Sequence, residues 1–361
     1  MEQVIGDRDA FAERLFGSML GAVDMLTVYM GDRLGLYEHL RKLGSATSTE
    51  LAEAADTDER YTREWLEQQA VSGVLEVADQ DAPAADRRFS LPMGHAEVLL
   101  DRDSLAYLAP LGRMLTGTTR VMPQLLDAFR DGGGVDWELL GPDGYEGQAA
   151  QNRPVFLQLL GQEWLPAIPG VHERLSADPP ARVLDVGCGG GWAAIGMATA
   201  YPKIEVDGVD LDAPAIELAR RNVADVGLTD RVRFINGDAA ALASNDRYDL
   251  VTMLEMVHDM SFPVRVLTSV RERLNDGGSV VVMDERVGLR FEAPGDDLER
   301  FDYGFSVLSW LPSAMIEDGA AGTGTVMRPD TLHGYAKEAG FGSFEILPID
   351  HDFFRFYRLG P

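Results

Sequence analysis

The fold of this chain is decided by Arg182-Val183-Leu184-Asp185-Val186-Gly187-Cys188-Gly189-Gly190-Gly191-Trp192, in which an apolar strand runs into a glycine-rich turn. The glycines allow the backbone to turn sharply and to approach a ligand closely. A helical segment follows at 192–200, and a second apolar segment, 204–209, ends in Asp210. Asp185 and Asp210 are therefore expected at the ends of neighbouring parallel strands in a βαβ unit, where a carboxylate suits the hydroxyls of a ribose. The stretch predicts a site for a nucleotide-type cofactor.

The glycine pattern separates two classes of such cofactors. A dinucleotide site carries G-x-G-x-x-G, whose third glycine lets the helix pack closely while its N-terminus receives a pyrophosphate. That third position is Trp192 here. The carboxylate of Asp185 would repel a pyrophosphate but suits a cationic amino group. The pattern favours a cofactor that has an amino group and no phosphate, such as S-adenosylmethionine.

The elements that follow keep the order of an alternating α/β domain with a closing hairpin. They are predicted helices at 212–227 and 263–274, strands at 231–236, 248–254 and 279–284, and strand-like runs at 344–348 and 352–359. The third strand leads into Gly237-Asp238-Ala239, and the fourth is followed by the segment from Glu255 to His258. The last two runs predict an antiparallel hairpin, which ordinary dinucleotide-binding domains lack.

On these motifs the chain resembles the class I S-adenosylmethionine-dependent methyltransferases over roughly residues 182–359. The resemblance implies an α/β, Rossmann-like domain with a seven-stranded sheet and an antiparallel closing hairpin. It implies that Asp185 binds the amino group of the cofactor, Asp210 the ribose and Asp238 the adenine amino group. The full set of implied cofactor residues is Asp185, Gly187, Cys188, Gly189, Gly191, Asp210, Leu211, Asp238, Ala239, Leu254 and Glu255.

The N-terminal third has the outline of a mostly α winged helix. Apolar residues recur at helical spacing over 11–41, and two short strands are predicted at 73–77 and 88–91. The predicted recognition helix, 59–72, begins next to Asp58 and carries more carboxylates than arginines. It therefore offers no positive surface to nucleic-acid phosphates.

This outline resembles the dimerisation domain of plant-type O-methyltransferases and, more closely, of poorly characterised actinobacterial methyltransferases. The segments Glu163–Pro169 and Gly322–Pro329 carry the closest likeness. The resemblance implies a homodimer in which each chain has three parts. They are a winged-helix-like dimerisation domain at 1–105, a helical connector at 106–176 that covers the cofactor and substrate site, and a cofactor-binding domain at 177–361.

Catalysis is predicted at His258, with Asp284 orienting it, because plant-type enzymes place a catalytic histidine in a His-Asp pair at this point. Methyl transfer from a sulfonium depends mostly on positioning, but a base with a pKa near 7 assists an oxygen acceptor. A histidine base predicts an acid limb of kcat near pH 6 to 7. Two positions depart from the plant pattern, since Met327 stands where a supporting glutamate is expected and Leu254 replaces a lysine. A structural or substrate-lining role for His258 stays open.

The methyl acceptor is expected to be a small molecule with oxygen as the acceptor atom. Methylation of nitrogen or carbon, or a cofactor-binding regulator that uses the winged helix on DNA, are the alternatives. Trp164, Phe305 and Trp310 are predicted to contact the acceptor, since aromatic side chains suit a planar substrate. Packing in an interdomain core or against a dimer partner would explain the same aromatic residues.

Composition narrows the partners. The 361 residues carry a formal charge of −27, which repels nucleic acids and anionic lipid. The single cysteine, Cys188, cannot form an internal disulfide and fits a reducing cytoplasm. The N-terminus lacks the pattern of a signal peptide, and no apolar run has the roughly 18 to 20 residues of a membrane span. The other histidines lack metal-ligand spacing, so no metal site is predicted.

Overall fold

The N-terminal unit, Met1–Thr116, is helical around a small two-stranded ribbon in this computed structural model, which describes residues 2–242 and 246–361. Its elements are α1 (Glu2–Arg33), α2 (Leu36–Leu43), α3 (Ser48–Ala55), α4 (Glu59–Val71), β1 (Glu76–Val77), β2 (Phe89–Ser90) and α5 (Met93–Leu100). The next helix, α6 (Pro110–Arg120), runs past the end of the unit. The predicted winged-helix architecture is confirmed, although both strands of the wing are shorter than expected.

Local sequence explains where the short helices begin. Thr47 and Glu50 form a capping box at the start of α3, in which the Glu50 amide donates to the Thr47 hydroxyl at 3.3 Å and the Thr47 amide donates to Glu50 Oε2 at 2.9 Å. Asp58 caps α4 by accepting from the amides of Arg60 and Tyr61. On the surface of α4, Arg60 is paired with Glu64 at 2.5 Å, so the charge of this arginine is compensated within the predicted recognition helix.

The first helix leaves a row of apolar side chains uncovered. With 32 residues, α1 is about 48 Å long. Phe16 is 66% exposed and Met19 is 61% exposed. We call this row the α1 stripe, and its members are Phe11, Leu15, Phe16, Met19, Leu20, Val23, Leu26 and Met30. Isolated apolar residues on a surface are ordinary, but a continuous row along one helix marks an interaction surface.

The C-terminal unit, Gly117–Pro361, begins with helices and continues into a central sheet. The helical part contains α7 (Met122–Asp131), a 3₁₀ turn (Trp137–Leu140), α8 (Pro142–Val155), a π-helix (Phe156–Trp164), a second 3₁₀ turn (Leu165–Ala167) and α9 (Val171–Ser176). The three-part division at 105 and 176 stays a prediction.

The rest of this unit alternates strands and helices. In chain order these are β3 (Arg182–Val186), α10 (Trp192–Ala200), β4 (Glu205–Asp210), α11 (Ala213–Asp225), β5 (Val232–Asn236), β6 (Tyr248–Leu254), α12 (Pro263–Glu272), β7 (Leu274–Glu285), α13 (Asp297–Phe305), α14 (Leu311–Ala314), α15 (Pro329–Glu338), β8 (Ser343–Ile346) and β9 (Phe354–Gly360). Short helical turns lie at Ala239–Ala241 and Val257–Asp259, and a π-helix lies at Ser306–Trp310.

The sheet has the order β5-β4-β3-β6-β7-β9-β8. Strands β3 to β7 pair in parallel, whereas β9 pairs antiparallel with both β7 and β8. The predicted seven-stranded sheet and closing hairpin are confirmed. Buried side chains pack on both faces of the sheet, which is why its central strands are mostly apolar. Among the described residues, no helix is both long enough and apolar enough to cross a membrane.

One strand begins earlier than the sequence predicted. The turn expected at 275–278 lies within β7, because Leu274 already pairs with Tyr248. The register between β6 and β7 shifts beyond this pair, and Leu250 faces Ser279. Gly277 adopts a φ of +78° in the shifted segment, a conformation that favours glycine. A register shift within β7, with three more residues than the facing part of β6, therefore stands where the turn was predicted.

Candidate active site

A cavity of about 450 Å³ opens at the carboxyl ends of the parallel strands. Ligands of open α/β sheets bind at this edge, beside the point where the strand order reverses. The order reverses between β3 and β6 here, since β4 lies on the other side of β3. The predicted cofactor residues in its wall are Asp185, Gly187, Cys188, Gly189, Asp210, Leu211, Asp238, Ala239, Leu254 and Glu255. The structure thus brings ten of the eleven together, and their binding to a cofactor stays a prediction.

The glycine turn is shaped by two positions that need glycine. Gly187 has a φ of +66°, and a Cβ there would lie 2.7 Å from the side chain of Met256. Gly191 has a φ of +81°, and a Cβ there would lie 2.5 Å from the ring of Phe234. Gly191 is absent from the cavity wall, which contains Gly190 instead. Gly191 is the residue from which α10 starts, and its contact with the cofactor stays a prediction.

Asp185 is a buried carboxylate with one free oxygen. Its side chain is 1% exposed, and its Oδ1 accepts a hydrogen bond from the Thr252 hydroxyl at 2.7 Å. Its Oδ2 has no hydrogen-bond partner among the described residues. Burial raises the pKa of Asp185 to about 7. A buried, unpaired acceptor is costly, so this oxygen suits a ligand that brings a donor, such as an ammonium group.

Asp210 is the last residue of β4, and Asp238 follows the end of β5. Asp210 accepts from the amide of Gly189 at 2.8 Å and from the amide of Asp212 at 2.9 Å, so its carboxylate ties the glycine turn to the end of β4. Asp238 accepts from the Ala240 amide at 2.8 Å and pairs with Arg265 at 2.7 Å. Both carboxylates are held in place by these contacts and can still accept from a ligand.

Glu255 continues the wall beyond β6 in a strained conformation. Its φ of +55° is unusual for a residue with a side chain. Its Oε2 accepts from the amide nitrogens of Asn152, at 2.8 Å, and Gln148, at 3.2 Å. Burial raises the pKa of Glu255 to about 7, although the Asn152 hydrogen bond opposes the shift. The strain persists because two side chains of α8 fix the carboxylate.

The sequence interpretation missed Gln148 and Asn152. They stand four residues apart, which places them on one face of a helix. That spacing of two amide side chains was the available signal. Which element the face would meet could not be read from it, because Glu255 is over 100 positions away in sequence.

His258 lies in a group of three carboxylates, which we call the His258 cluster. The side chain is fully buried, with 0% exposure, and its Nδ1 donates to Asp284 Oδ1 at 2.7 Å. Glu285 Oε2 lies 3.2 Å from the same nitrogen, and Asp259 Oδ1 lies 3.1 Å from Nε2. The structure thus brings His258 and Asp284 together as predicted and adds Asp259 and Glu285, which the sequence interpretation had not assigned.

The His258 cluster favours the charged imidazolium. Burial alone would lower the pKa of His258, but Asp259, Asp284 and Glu285 outweigh it and raise that pKa well above its usual value. The His258 charge in turn lowers the pKa of Asp284 against the effect of burial. His258 and Asp284 are not part of the cavity wall, whereas Asp259 is. Asp259 therefore stands between the histidine and the cavity.

His258, Asp284 and Glu285 also place one potential metal ligand each within 4.8 Å of one another. The imidazole Nδ1 that would bind a metal is already hydrogen-bonded to Asp284. The hydrogen bond accounts for the geometry without an ion. The prediction that the protein has no metal site stays a prediction.

The three aromatic residues predicted to contact the acceptor lie in different environments. Trp310 lines the cavity, with its ring 6.4 Å from that of His258. Phe305 is not in the wall and packs behind Trp310, with ring centroids 5.2 Å apart. Trp164 is 3% exposed and packs on Phe356 at 4.8 Å, so it belongs to the core. The arrangement favours the packing alternative for Trp164 and Phe305, and contact of all three residues with an acceptor stays a prediction.

Comparison with sequence families identifies both parts of the chain. Residues 183–278 match the family described as "Methyltransferase domain", and residues 22–101 match the "Rv2258c-like winged HTH domain". The chain therefore carries a methyltransferase domain behind a winged helix-turn-helix domain.

Curated relatives align with part of the chain. The mitochondrial ubiquinone biosynthesis O-methyltransferase of Candida albicans is 35% identical over 108 residues, which are 30% of this chain and 33% of that protein. The ubiquinone biosynthesis O-methyltransferase of Vibrio cholerae serotype O1 is 30% identical over 168 residues, 46% of this chain and 61% of that protein. The chain thus spans less than two thirds of the length of these two relatives.

Solved structures share the fold over nearly the whole chain. The mitomycin 7-O-methyltransferase MmcR is 21% identical with a TM-score of 0.69, covering 98% of this chain and 99% of its own. Human N-acetylserotonin methyltransferase, solved with S-adenosylmethionine, is 18% identical with a TM-score of 0.67 and covers 97% of each chain. At these identities the likeness shows the fold, including the helical N-terminal part.

Proposed function

We propose that this chain transfers a methyl group from S-adenosylmethionine to an oxygen atom of a small molecule. The observation that carries the proposal is the set of carboxylates around the glycine turn. Asp185, Asp210 and Asp238 lie at the ends of three neighbouring parallel strands and all face one cavity. The matched methyltransferase domain covers the same strands.

The wall fits the cofactor chemically. The free Oδ2 of Asp185 and the carboxylate of Glu255 would receive the amino group of the cofactor. Asp210 would accept from the ribose hydroxyls, and Asp238 from the adenine amino group. A bound S-adenosylmethionine would supply a methyl group activated by its sulfonium charge. This chain's contribution is to hold that charge among carboxylates and to keep water from the methyl group.

A hydroxyl acceptor loses its proton when its oxygen is methylated, so a group in the protein must accept that proton. We assign this role to the His258 cluster, with Asp259 at the cavity wall and His258 behind it. Asp284, bonded to Nδ1 at 2.7 Å, stabilises the positive charge on the imidazole. The relatives and neighbours named O-methyltransferases support the choice of oxygen.

Methylation of nitrogen or carbon is the alternative that one observation favours. His258 is fully buried and does not line the cavity, so it does not touch an acceptor in this arrangement. A nitrogen acceptor that is already uncharged needs no base. The effect of substitutions at His258 on kcat, described in the Discussion, separates the two.

The cofactor assignment predicts the effect of Asp210→Ala. Loss of the hydrogen bonds from the ribose to a charged group should weaken S-adenosylhomocysteine binding by about 1 to 3 kcal/mol, measured by calorimetry. Asp225→Ala, which removes an exposed carboxylate at the end of α11, is the matched control and should bind normally. Asp210→Asn, which keeps one acceptor, should lie between. Unchanged affinity in Asp210→Ala, or a wild-type preference for NAD, would refute the assignment.

We also propose that the protein is a homodimer that pairs through the α1 stripe. The stripe is exposed along a helix of 32 residues. The winged-helix resemblance implies dimerisation through this part of the chain. The single cysteine, Cys188, is buried and unpaired, which fits a reducing compartment such as the cytoplasm.

Charges placed in the α1 stripe should break the dimer. Wild-type protein should scatter light as twice the 39.5 kDa chain, and the Met19→Glu, Val23→Glu double variant should scatter as a single chain. Burying two carboxylates from each chain, four in all, in an apolar interface costs several kcal/mol. Glu13→Gln on the same helix is the control and should stay dimeric. A monomeric wild type would contradict the proposal.

A further inference from the structure

The cavity wall is far more acidic than cofactor binding requires. Among its described residues, nine side chains are carboxylates and one, Arg265, is a cation. Arg265 is already paired with Asp238 at 2.7 Å. The nine carboxylates are Asp136, Glu138, Asp185, Asp210, Asp212, Asp238, Glu255, Asp259 and Glu317. One sulfonium and one ammonium group cannot compensate this many.

The buried polar atoms of the wall give independent support. Four of its side-chain oxygens are buried without a hydrogen-bond partner among the described residues, namely Gln148 Oε1, Asp185 Oδ2, Asp212 Oδ2 and Asp259 Oδ1. Asp185 Oδ2 is assigned above to the cofactor, and Asp259 Oδ1 lies 3.1 Å from His258 Nε2, so Gln148 Oε1 and Asp212 Oδ2 remain for a second ligand. All four are oxygens that only accept in the arrangement described. These oxygens therefore offer acceptors to a ligand with N–H groups.

Several of the carboxylates lie away from the strand ends. Asp136, Glu138 and Glu317 are exposed at the rim, and a backbone hydrogen bond from Val135 to Pro312, at 3.0 Å, joins the segments that carry them. Glu138 and Asp136 contribute to raising the pKa of Asp212 to about 6, after burial as the main cause. These residues therefore add their charges to one field.

Aromatic rings stand beside the same carboxylates. Trp137, which stands between Asp136 and Glu138 in sequence, lines the cavity, as does Trp310, whose ring lies 6.4 Å from that of His258. Aromatic faces attract cations, especially when water is excluded. Together, rings and carboxylates form a lining that suits a flat ligand with a positive charge.

We propose that the methyl acceptor is an aromatic hydroxyl compound that carries a protonated amine, and that carboxylate- or phosphate-bearing acceptors are excluded. The proposal rests on the proposed methyltransferase function. An ammonium group can bind Gln148 Oε1, Asp212 Oδ2 and the carboxylates of the rim, whereas an anion would be repelled by the excess of carboxylates in the wall.

The experiment compares catechols that differ only in charge. Dopamine, 4-ethylcatechol and 3-(3,4-dihydroxyphenyl)propionate are titrated into the full-length protein saturated with S-adenosylhomocysteine, and binding is followed by the fluorescence of the tryptophans. We expect affinity to fall in that order, with a difference of about tenfold or more between dopamine and the propionate. Glu317→Gln and Asp259→Asn should each reduce the difference in affinity between dopamine and the propionate. Glu338→Gln, on the exposed surface of α15, should leave that difference unchanged.

Each result decides the proposal. Equal or tighter binding of the propionate would overturn it, and so would the absence of dopamine binding while S-adenosylhomocysteine is bound. If Glu317→Gln and Asp259→Asn both kept the wild-type difference in affinity, the carboxylates of the wall would not be the cause of that difference, and the proposal would fail. Failure of S-adenosylhomocysteine itself to bind would instead refute the proposed function, so the two failures are distinguishable.

Discussion

The His258→Gln variant should lose about 100- to 10,000-fold in kcat with an acceptor that the wild type methylates, which is the range that a general base contributes. Glutamine retains much of the size of histidine and can still donate to Asp284, but it has no basic nitrogen. Its affinity for S-adenosylhomocysteine should be unchanged, because His258 is not in the cavity wall. Initial rates at saturating cofactor and acceptor measure the effect.

The pH profile of kcat tests whether His258 acts as a base. The sequence alone predicts an acid limb near pH 6 to 7. Because the surrounding carboxylates raise the pKa of His258 well above its usual value, we now expect the limb at higher pH, with wild-type kcat still rising at neutral pH. The limb should disappear in His258→Gln. A change in KM alone, with the profile intact, would make His258 a structural residue and favour positioning as the whole of the catalysis.

Affinity for S-adenosylhomocysteine should fall as the pH is lowered. Burial raises the pKa of Asp185 to about 7, and an ammonium ligand binds only its ionised form. Below that pKa the ionised fraction falls about tenfold per pH unit, so affinity should fall by about 50- to 100-fold between pH 7.5 and pH 5. Calorimetry across this range measures the change, and binding near neutral pH should release protons to the buffer.

The Asp185→Asn variant tests whether ionisation of Asp185 causes the pH dependence of S-adenosylhomocysteine binding. The variant should bind weakly at every pH and lose most of the pH dependence, leaving the smaller part due to Glu255, whose pKa burial also raises to about 7. Asp225→Asn, with an exposed side chain, should keep the wild-type dependence. A pH-independent affinity in the wild type would show that the ammonium group does not bind at Asp185.

The helices and strands around the predicted cofactor site could be predicted from sequence because their sequence signals are local. Strand β3 and the glycine turn are contiguous, and the carboxylates at the strand ends follow from the alternation of strands and helices. The winged helix was equally visible, since caps such as Thr47 and Asp58 act within a few residues. The extent of β7 was missed because pairing with β6, rather than its own turn residues, determines where it begins.

The sequence by itself determined the fold and the carboxylates that face one cavity, because periodicity, caps and glycine conformations act over short stretches of chain. Only the tertiary structure decided which distant groups meet. It buried Trp164 in the core, brought Gln148 and Asn152 to Glu255, and surrounded His258 with carboxylates. The physical reason is that burial and charge depend on neighbours from other elements. The pKa values of the candidate site are therefore properties of the folded chain.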